Sequence, residues 1–366
     1  MTSERPWRIA VIGFSHMHAG DQIREVLEHP GSELVGVWDE RRDRVEPVVA
    51  GFGLDDRLIF DDLAELLERG RPDVAVICST TAEHVDLVRR IAPHGVHVML
   101  EKPFATSLEA ADAMIKETTA AGVALTVNWP LAWYPSHRTA RRLISTGAIG
   151  AVTEVHYYDG NRGPLNHTHD KVSVEVADEP EAKSATWWYS RQSGGGSLLD
   201  YLGYGATLAT WFRDGELPRS IQAAAHVPPG LEVDEQSVVI ARYDSGLSVL
   251  QTRWGTFTDP WVIQPFPRCG FVIVGSSGTI SSEDYAPAIQ LQTRREPRPT
   301  TVPVDDLPSA ERGGLAFLID RLQTGAPIDG PSSWELSRKG QQIVDAAVLS
   351  ATSGEIVTID PGAGAR

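Results

Sequence analysis

Cysteine is scarce in this sequence: its 366 residues include only two, Cys78 and Cys269. Two thiols are too few for a disulfide framework, and their spacing matches no metal-binding motif. Long apolar runs are also missing, because no stretch approaches the roughly 20 residues that a membrane span needs. Residues 2–9 lack the apolar core of a secretory signal. We therefore expect a cytoplasmic protein, with no membrane partner and with both thiols reduced.

Basic surface is missing as well. The formal net charge is −16 at pH 7, and no run of lysines or arginines offsets it. A phosphate backbone is bound by a basic surface, so the sequence argues against nucleic acid as a partner. Apolar residues make up 42% and charged residues 22%, which is ordinary for a globular protein of two or three domains. We interpret the acidic surface as a source of solubility.

The first third of the sequence alternates apolar runs with amphipathic segments. The predicted strands are Arg8–Ile12, Leu34–Trp38, Val74–Cys78, Val96–Leu100 and Ala124–Asn128. The predicted helices are His18–Glu28, Leu63–Arg69, Glu83–Ile91 and Ser107–Ala121. Apolar strands separated by helices indicate a parallel sheet that is covered on both faces. The sequence therefore predicts an α/β fold whose N-terminal domain, residues 1–128, is a doubly wound Rossmann domain.

The pattern changes after residue 128. The predicted strands there are Val152–Tyr158, Ile221–His226, Ser237–Tyr243, Leu247–Trp254, Phe271–Gly275 and Ile289–Gln292. Two longer helices are predicted at Leu198–Arg213 and Trp334–Ser353. Most connections between these strands are too short for parallel crossovers. We predict that residues 129–366 form an α+β domain with a largely antiparallel open sheet, which packs one face on helices and the other on something else, such as a partner subunit.

Glycine is scarce where a dinucleotide-binding loop would need it. The segment after the first strand lies where a pyrophosphate binds, at the N-terminus of a helix. The GxGxxG spacing would place glycines at positions 13, 15 and 18, which hold Gly13, Ser15 and His18. One glycine matches, and the position of the loop between a strand and a helix is a second signal. We predict a dinucleotide site lined by Gly13, Phe14, Ser15, His16 and His18.

An acidic residue ends the second predicted strand. Asp39 lies 26 positions after Gly13, near the separation at which a carboxylate binds the ribose 2′-hydroxyl of the cofactor. A carboxylate there favours NAD. Arg41 and Arg42 follow directly and could instead bind the 2′-phosphate of NADP, and a simple turn-capping role for Asp39 also stays open. We expect NAD as the cofactor, with NADP as the alternative.

His16 and His18 also form an HxH pair at the start of the first predicted helix. A metal site needs a third ligand with a fixed geometry, and the neighbouring sequence offers none. We therefore predict no metal site here. The pair is interpreted as two polar side chains at a helix start, one of which lines the cofactor cleft.

A charged dipeptide follows the fourth predicted strand. Glu101, Lys102 and Pro103 come directly after Val96–Leu100, and the carboxyl ends of parallel strands border the ligand crevice of such a sheet. A cis bond before the proline would aim Lys102 at that cleft. A lysine there can hold a substrate oxygen or, if burial lowers its pKa, act as an acid or base. The alternative is an ordinary solvated loop lysine.

Residues 101–103 and four other segments resemble the glucose-fructose oxidoreductase / inositol dehydrogenase (Gfo/Idh/MocA) family. Residues 74–84 resemble its third cofactor-binding strand and loop, and residues 146–150 its turn into the second domain. Residues 194–200, with three glycines, resemble the entry to its catalytic helix, and residues 274–280 a late strand turn. The resemblance runs in order over nearly the whole chain. It implies further cofactor contacts from Ser79, Thr80, His84, Glu101, Lys102 and Asn128.

Asp200 and Tyr204 lie four residues apart on a predicted helix and share one face. The resemblance implies catalytic roles for Asp200, Tyr204 and Lys102. The family usually has histidine where this sequence has Tyr204, although some members carry tyrosine. A nearby cation such as Lys102 would lower the pKa of Tyr204 and make it a proton relay, whereas a core tyrosine bonded to Asp200 is the alternative. We expect the preceding glycines to let the backbone approach the cofactor.

Polar and aromatic residues indicate a substrate cleft. A polar loop follows the first strand of the second domain and contains Asn161, Arg162, His167, His169 and Asp170. Three rings, Trp187, Trp188 and Tyr189, precede the glycine run. Rings and hydrogen-bonding groups suit a polyol with one apolar face, but core aromatics and a solvated loop stay open. The predicted substrate-binding residues are Lys102, Trp129, Arg162, His167, Asp200 and Tyr204.

Three functions stay open from the sequence. The first is an NAD(P)-dependent dehydrogenase or reductase acting on a sugar, sugar derivative or cyclitol. The second, which the resemblance implies for part of the family, is a glycoside-cleaving enzyme that uses tightly held NAD for a transient oxidation. The third is a non-catalytic dinucleotide- or sugar-binding protein on the same scaffold. The resemblance also implies a homodimer or homotetramer.

Overall fold

A computed structural model describes residues 5–168, 171–176 and 180–360. His169 and Asp170, which the sequence analysis placed in the polar loop, lie outside the described residues. Within the described ranges, no helix is both long enough and apolar enough to cross a membrane.

Five parallel strands form the N-terminal sheet. They are Trp7–Ile12 (β1), Ser32–Trp38 (β2), Val74–Ile77 (β3), His97–Glu101 (β4) and Leu125–Asn128 (β5). Their order is β2-β1-β3-β4-β5, and every pairing is parallel. β3 is buried along its whole length, as are most residues of β1, β4 and β5. The predicted Rossmann sheet is confirmed, because apolar runs of this kind can only be buried between two layers of helices.

The helices around this sheet are Ala19–Glu28 (α1), Arg42–Gly51 (α2), Leu63–Glu65 (α3), His84–Ile91 (α4) and Leu108–Ala121 (α5). α2 was not predicted, because Pro47 lies inside it and interrupts the sequence pattern. The segment predicted as a helix at Leu63–Arg69 consists of α3 followed by a π-helical turn, Leu66–Gly70. The other helices begin and end within one residue of their predicted limits.

The second sheet has nine strands. In chain order they are Val152–Asn161 (β6), Ser220–His226 (β9), Gln236–Arg242 (β10), Leu247–Trp254 (β11), Gly270–Gly275 (β12), Gly278–Glu283 (β13), Ala288–Thr293 (β14), Thr300–Pro303 (β15) and Val357–Thr358 (β16). Two short strands, His167–Thr168 (β7) and Val172–Ser173 (β8), pair separately. The sheet order is β15-β14-β13-β12-β6-β11-β10-β9-β16. Only β6 and β11 pair in parallel, so the predicted largely antiparallel sheet is confirmed.

After β5, the described residues form five further α-helices: Pro135–Ser145 (α6), Pro180–Ser184 (α7), Ser197–Phe212 (α8), Gly314–Thr324 (α9) and Trp334–Ser353 (α10). α8 and α10 pack against each other and against one face of the sheet. α9, in contrast, buries Leu315, Leu318 and Ile319 in the same core as Ile9 of β1. α9, which comes late in the chain, therefore packs in the core of the first sheet and connects the two halves of the protein.

Candidate active site

The loop after β1 approaches the loop after β3 so closely that its first residue must be glycine. Gly13 has φ +80°, and a Cβ there would lie 2.7 Å from the Ser79 nitrogen. The Gly13 N–H donates to the Trp38 carbonyl, and the His16 N–H to the Cys78 carbonyl. This loop leads into α1, whose first N–H groups have no partner within the helix. Such a cradle fits a dinucleotide pyrophosphate.

Asp39 stands beside this loop with its side chain almost fully buried. One carboxylate oxygen accepts the Phe14 N–H at 2.6 Å, and the other accepts the Arg41 N–H at 2.8 Å. Arg44 lies 3.5 Å from the same carboxylate and donates to the Ser15 hydroxyl at 2.7 Å. Asp39 therefore joins the end of β2 to the phosphate loop, and a carboxylate has lone pairs left for a ribose hydroxyl.

The two arginines that could hold a 2′-phosphate are already paired. Arg41 binds Asp43 on the same turn. Arg42 donates to both Glu46 and Asp61. A 2′-phosphate would have to break these ion pairs and lie next to Asp39, so the residues present fit NAD better than NADP.

Hydrogen bonds of Thr80, Glu83 and His84 stabilise the conformation of the loop after β3. Thr80 begins a short helical turn and forms a capping box with Glu83. His84 is buried, and its Nδ1 lies 3.1 Å from the Phe104 carbonyl oxygen. Burial lowers the pKa of His84, so the imidazole is neutral. These contacts make His84 a positioning residue behind the loop, whereas Ser79 lies directly against Gly13.

Glu101 is fully buried at the end of β4, and its carboxylate contacts three polar side chains. Gln22 of α1 and Asn128 of β5 each donate to it at 2.7 Å, and His18 Nδ1 lies 3.0 Å away. Burial by itself raises the pKa of Glu101, but the charge and hydrogen bond of His18, with Asn128 and Lys102, bring that pKa below its ordinary value. Gln22 was not predicted, because nothing in its sequence context distinguishes it from other polar helix residues.

The structure supplies the third metal-ligand atom that the neighbouring sequence lacks. Ligand atoms of His16, His18 and Glu101 lie within 4.8 Å of one another. The expectation that nothing stands near the HxH pair was therefore wrong, because folding brings β4 next to the start of α1. Glu101 is already bonded to Gln22 and Asn128, so these contacts account for the carboxylate without an ion.

Lys102 and Asp200 form a buried ion pair, each with about 5% exposure. The peptide bond from Lys102 to Pro103 is cis, as the sequence analysis allowed. The second oxygen of Asp200 accepts the indole N–H of Trp254 at 3.0 Å. The Lys102 ammonium also lies 5.7 Å from the centre of the Tyr204 ring. The structure thus brings the three predicted catalytic residues together at the carboxyl end of β4.

Tyr204 is a neutral phenol in this environment. Burial raises its pKa well above the ordinary value, and the charges of Glu101, Asp200 and Asp159 raise it further. The prediction that Lys102 lowers this pKa is therefore wrong: Lys102 is paired to Asp200, and nearby carboxylates outnumber the cation. Tyr204 can accept or donate a hydrogen bond, but it does not release its proton near neutral pH.

The glycine run before α8 approaches protein backbone. A Cβ on Gly195 would lie 2.1 Å from the Trp188 carbonyl oxygen, and one on Gly194 would lie 2.8 Å from Thr81 Cβ. Gly196 has φ +108° and precedes the first residue of α8. The neighbours of these glycines are the Trp187–Tyr189 turn, the loop after β3 and Asp234, so close protein packing requires them, and their approach to the cofactor stays a prediction.

A cleft opens between the two sheets beside Lys102, Asp200 and Tyr204. Asn161 and Trp188, which the sequence analysis named, line it. Further lining residues that the sequence analysis missed are Tyr134, Asp159, Lys171, Trp261, Asp284 and Tyr285. Several of these follow strands or short helices that have no apolar alternation of their own, so no sequence signal singled them out.

Three residues predicted to bind substrate lie outside this cleft. Trp129 is buried behind Tyr204, with its indole N–H bonded to Ser337 at 3.0 Å. Arg162 and His167 both contact Asp259, the first at 3.2 Å and the second at 2.9 Å. Trp129 packs behind Tyr204, while Arg162 and His167 hold the loop that carries Trp261, so their predicted contact with substrate stays a prediction.

Comparison with known proteins agrees with this geometry. Residues 7–129 match the model described as "Oxidoreductase family, NAD-binding Rossmann fold", and residues 137–281 match the "GFO/IDH/MocA C-terminal domain". Scyllo-inositol 2-dehydrogenase (NAD(+)) of Bacillus subtilis is 31% identical over 43% of this chain and 44% of its own length. D-apiose dehydrogenase of Paraburkholderia graminis is 32% identical over 41% of this chain and 39% of its own. The matches to these curated relatives thus span less than half of their length.

Solved structures resemble the whole chain. Aldose-aldose oxidoreductase of Caulobacter crescentus, complexed with glycerol, has a TM-score of 0.77 at 19% identity and covers 97% of this chain and 100% of its own. An oxidoreductase of Agrobacterium radiobacter, in complex with NAD+, L-tartaric acid and magnesium, has a TM-score of 0.74 at 22% identity, with 96% and 97% covered. Likeness at this identity concerns the fold alone. The two matching models, which together cover more than two thirds of the sequence, show that this chain belongs to the GFO/IDH/MocA oxidoreductase family.

Proposed function

We propose that this protein is an NAD-dependent oxidoreductase that transfers a hydride between nicotinamide and a hydroxyl or keto carbon of a sugar, sugar derivative or cyclitol. The observation that carries the proposal is the buried Lys102–Asp200 pair, which borders the cleft at the carboxyl end of β4. Ligands of open parallel sheets bind at this edge. The relatives named as inositol and apiose dehydrogenases support the substrate class.

The residues of this chain can hold the substrate oxygen and move its proton. The nicotinamide ring of bound NAD would accept or donate the hydride. In the reducing direction the Lys102 ammonium donates a proton to the carbonyl oxygen as it becomes a hydroxyl, and in the oxidising direction the amine takes that proton back. Asp200 orients Lys102 and compensates its charge, while the neutral phenol of Tyr204 offers a hydrogen bond beside it.

The cofactor site proposed here has two parts. Gly13 and the N-terminus of α1 would hold the pyrophosphate, with Phe14, Ser15, His16 and His18 beside it. Asp39 would bind the adenosine ribose, and the existing ion pairs of Arg41 and Arg42 favour NAD over NADP. Ser79, Thr80, Glu101 and Asn128 complete the proposed contacts at the ends of β3, β4 and β5.

Cofactor binding tests the proposal first. The purified protein is titrated with NADH and NADPH by nucleotide fluorescence, and denatured protein is assayed for released dinucleotide. Exchangeable binding with a preference for NADH, followed by NAD reduction in a sugar and cyclitol screen at 340 nm, is the expected result. Retained cofactor without NADH accumulation would instead favour the glycoside-cleaving mechanism. Binding of neither dinucleotide would reject the proposal.

We also propose that the protein works in the cytoplasm as a homodimer or homotetramer. The face of the nine-stranded sheet opposite α8 and α10 carries Val238, Ile240 and Val272, each more than a third exposed. An uncovered apolar sheet face of this kind is commonly buried against another copy.

A further inference from the structure

Two buried carboxyls meet at one end of the substrate cleft. Asp159 is near the end of β6, and Asp284 directly follows β13. Both strands pair with β12, whose first residue, Gly270, lies between Tyr158 and Glu283. Asp159 and Asp284 are each 1% exposed, and both line the cleft that holds Lys102 and Asp200. β6 and β13 lie on opposite sides of β12, and the side chains of the two acids approach each other across it inside the cleft.

The surroundings of Asp284 leave one of its oxygens without a donor. Oδ1 lies 2.7 Å from His137 Nε2, whose other ring nitrogen lies 2.8 Å from the Ser282 hydroxyl. Oδ2 accepts no hydrogen bond from an N–H or O–H group of the described residues. Burial lowers the pKa of His137 to about 3, so the ring is neutral and provides no counter-charge. If Asp284 were ionised, its buried carboxylate would lack both a counter-charge and enough hydrogen-bond donors.

Asp159 is better bonded but equally desolvated. It accepts the Gly160 N–H at 2.7 Å and the Tyr157 hydroxyl at 3.1 Å. Burial raises the pKa of Asp284 to about 8. Burial, followed by the charge of Asp284, raises the pKa of Asp159 well above its ordinary value. Two carboxyls held close together do not both ionise, so the pair offers a hydrogen-bond donor as well as acceptor oxygens.

The cations that line the cleft do not neutralise this pair. Lys102 is bonded to Asp200. The Lys171 ammonium lies over the rings of Trp261 and Tyr285, at 5.7 and 5.8 Å from their centres. The described residues include no ion pair from either lysine to Asp159 or Asp284. An anionic substrate group beside the pair would therefore be desolvated without a cation bonded to the pair to compensate it.

We infer that the two buried carboxyls Asp159 and Asp284 bind neighbouring hydroxyls of an uncharged polyol and so make the cleft selective for neutral sugars or cyclitols over sugar acids. This inference rests on the proposed function and names the substrate class of the same site. A hydroxyl can donate to an oxygen of the pair and accept from its O–H group, whereas a substrate carboxylate can only accept. Sites that bond a substrate hydroxyl in this way discriminate strongly against analogues that do not match them.

The test compares D-glucose and myo-inositol with D-glucuronate, using wild type, Asp159→Asn, Asp284→Asn and the double variant. KM and kcat are measured with NAD, and binding to the NADH complex is followed by tryptophan fluorescence. Asp345→Asn is the control, because Asp345 is a partly buried carboxyl with a raised pKa that belongs to α10 and bonds the start of α5, away from the cleft. Thermal unfolding of each variant shows whether it folds.

Wild type is expected to favour a neutral probe over glucuronate by about 100-fold or more in kcat/KM or affinity. The Asn variants should raise KM for the neutral probe about 10-fold with a smaller change in kcat, and should reduce the preference against glucuronate. Asp345→Asn should change neither value.

A wild-type preference for glucuronate, or an unchanged ratio in the Asn variants, would overturn the inference while leaving the oxidoreductase proposal intact. If wild type binds NADH but turns over no probe, the ratio of the binding affinities for the neutral probe and for glucuronate decides in the same way. A neutral probe that binds less than about 10-fold more tightly than glucuronate would also count against the pair. If no dinucleotide binds, the proposed function fails, and the ratio measured without cofactor still judges the carboxyl pair.

Discussion

At the scale of single residues, this site depends on how charges are compensated. Lys102 has one carboxylate partner, Asp200, and that carboxylate is held in turn by the Trp254 indole. Glu101, next to Lys102 in sequence, is bonded by Gln22, Asn128 and His18 instead. Two neighbouring charges thus have separate sets of partners. This separation leaves Lys102 at the cleft, whereas Glu101 ties α1, β4 and β5 together.

Lys102→Met should abolish turnover while sparing cofactor binding. The substitution removes the group that holds the substrate oxygen and moves its proton, which is worth about 10²–10⁴ in rate. Steady-state assays and NADH titration measure the two effects. Lys116→Met, on the exposed side of α5, is the control and should leave both unchanged. Near-normal turnover in Lys102→Met would remove this lysine from the mechanism.

Tyr204→Phe should lower kcat without moving the pH profile. The raised pKa of Tyr204 keeps the phenol protonated from pH 5 to 9, so its titration contributes no limb in that range. Loss of one hydrogen bond to the reacting oxygen is expected to cost about 10-fold. The measurement is kcat/KM against pH for both proteins. Disappearance of an ionisation from the variant's profile would show that Tyr204 does act as a proton relay.

At the scale of elements, the site depends on the turn that precedes α8. The Trp187–Tyr189 turn and the three glycines are packed so that a carbonyl oxygen of the turn touches the Cα of Gly195. Asp200 and Tyr204 project from the first two turns of α8, so this contact sets their distance from Lys102. The glycine run is therefore required by packing between two protein segments.

Gly195→Ala should destabilise the protein by about 1–3 kcal/mol and reduce activity. Its Cβ would lie 2.1 Å from the Trp188 oxygen, so backbone has to move and α8 moves with it. Urea unfolding and turnover measure both effects. Gly51→Ala, at the end of α2, meets no atom within 4 Å and should be neutral or slightly stabilising. Equal stability of the two variants would contradict this account of the turn.

At the scale of the whole molecule, α1 from the start of the chain contacts α9 from near its end. Glu25 of α1 accepts the Leu315 N–H at 3.0 Å and the Ala316 N–H at 3.4 Å, both in the first turn of α9. A carboxylate at a helix N-terminus is favourable, but burial raises the pKa of Glu25 to about 7. The joint between the first and last parts of the chain is therefore sensitive to pH.

Glu25→Gln should reduce the loss of stability between pH 4.5 and 8. Folding binds a proton that the unfolded chain releases above its ordinary pKa of 4.5, so this stabilisation is complete below pH 4.5 and is lost as pH rises through 7. The difference between wild type and variant should reach on the order of 2–3 kcal/mol in urea unfolding. Glu28→Gln, exposed on the same helix, is the control. Identical pH dependence of wild type and Glu25→Gln would refute the role of this carboxyl.

Ile240→Lys should weaken the proposed assembly. Ile240 is 37% exposed on the uncovered face of β10, and a charge there opposes burial against another copy. Light scattering coupled to size exclusion should show a smaller particle for this variant. Leu349→Lys, on an exposed position of α10, tests whether any added lysine has the same effect. A monomeric wild-type protein would reject the assembly itself.

The sequence by itself determined the two-part architecture, because apolar runs and helical periods are local signals. It placed β1, β4 and α8 almost at their observed limits, while the resemblance to a known family grouped Lys102, Asp200 and Tyr204. It did not find α2, in which Pro47 breaks the pattern.

The tertiary structure decided everything that depends on partners far apart in the chain. The raised pKa of Tyr204 comes from burial and from the carboxylates of three segments, and Asp159 approaches Asp284 across β12, which lies between their strands. Trp129, Arg162 and His167 have the composition of binding residues, but their neighbours place them behind the cleft wall. Local sequence carries propensity, whereas burial and charge compensation arise only when distant residues come into contact.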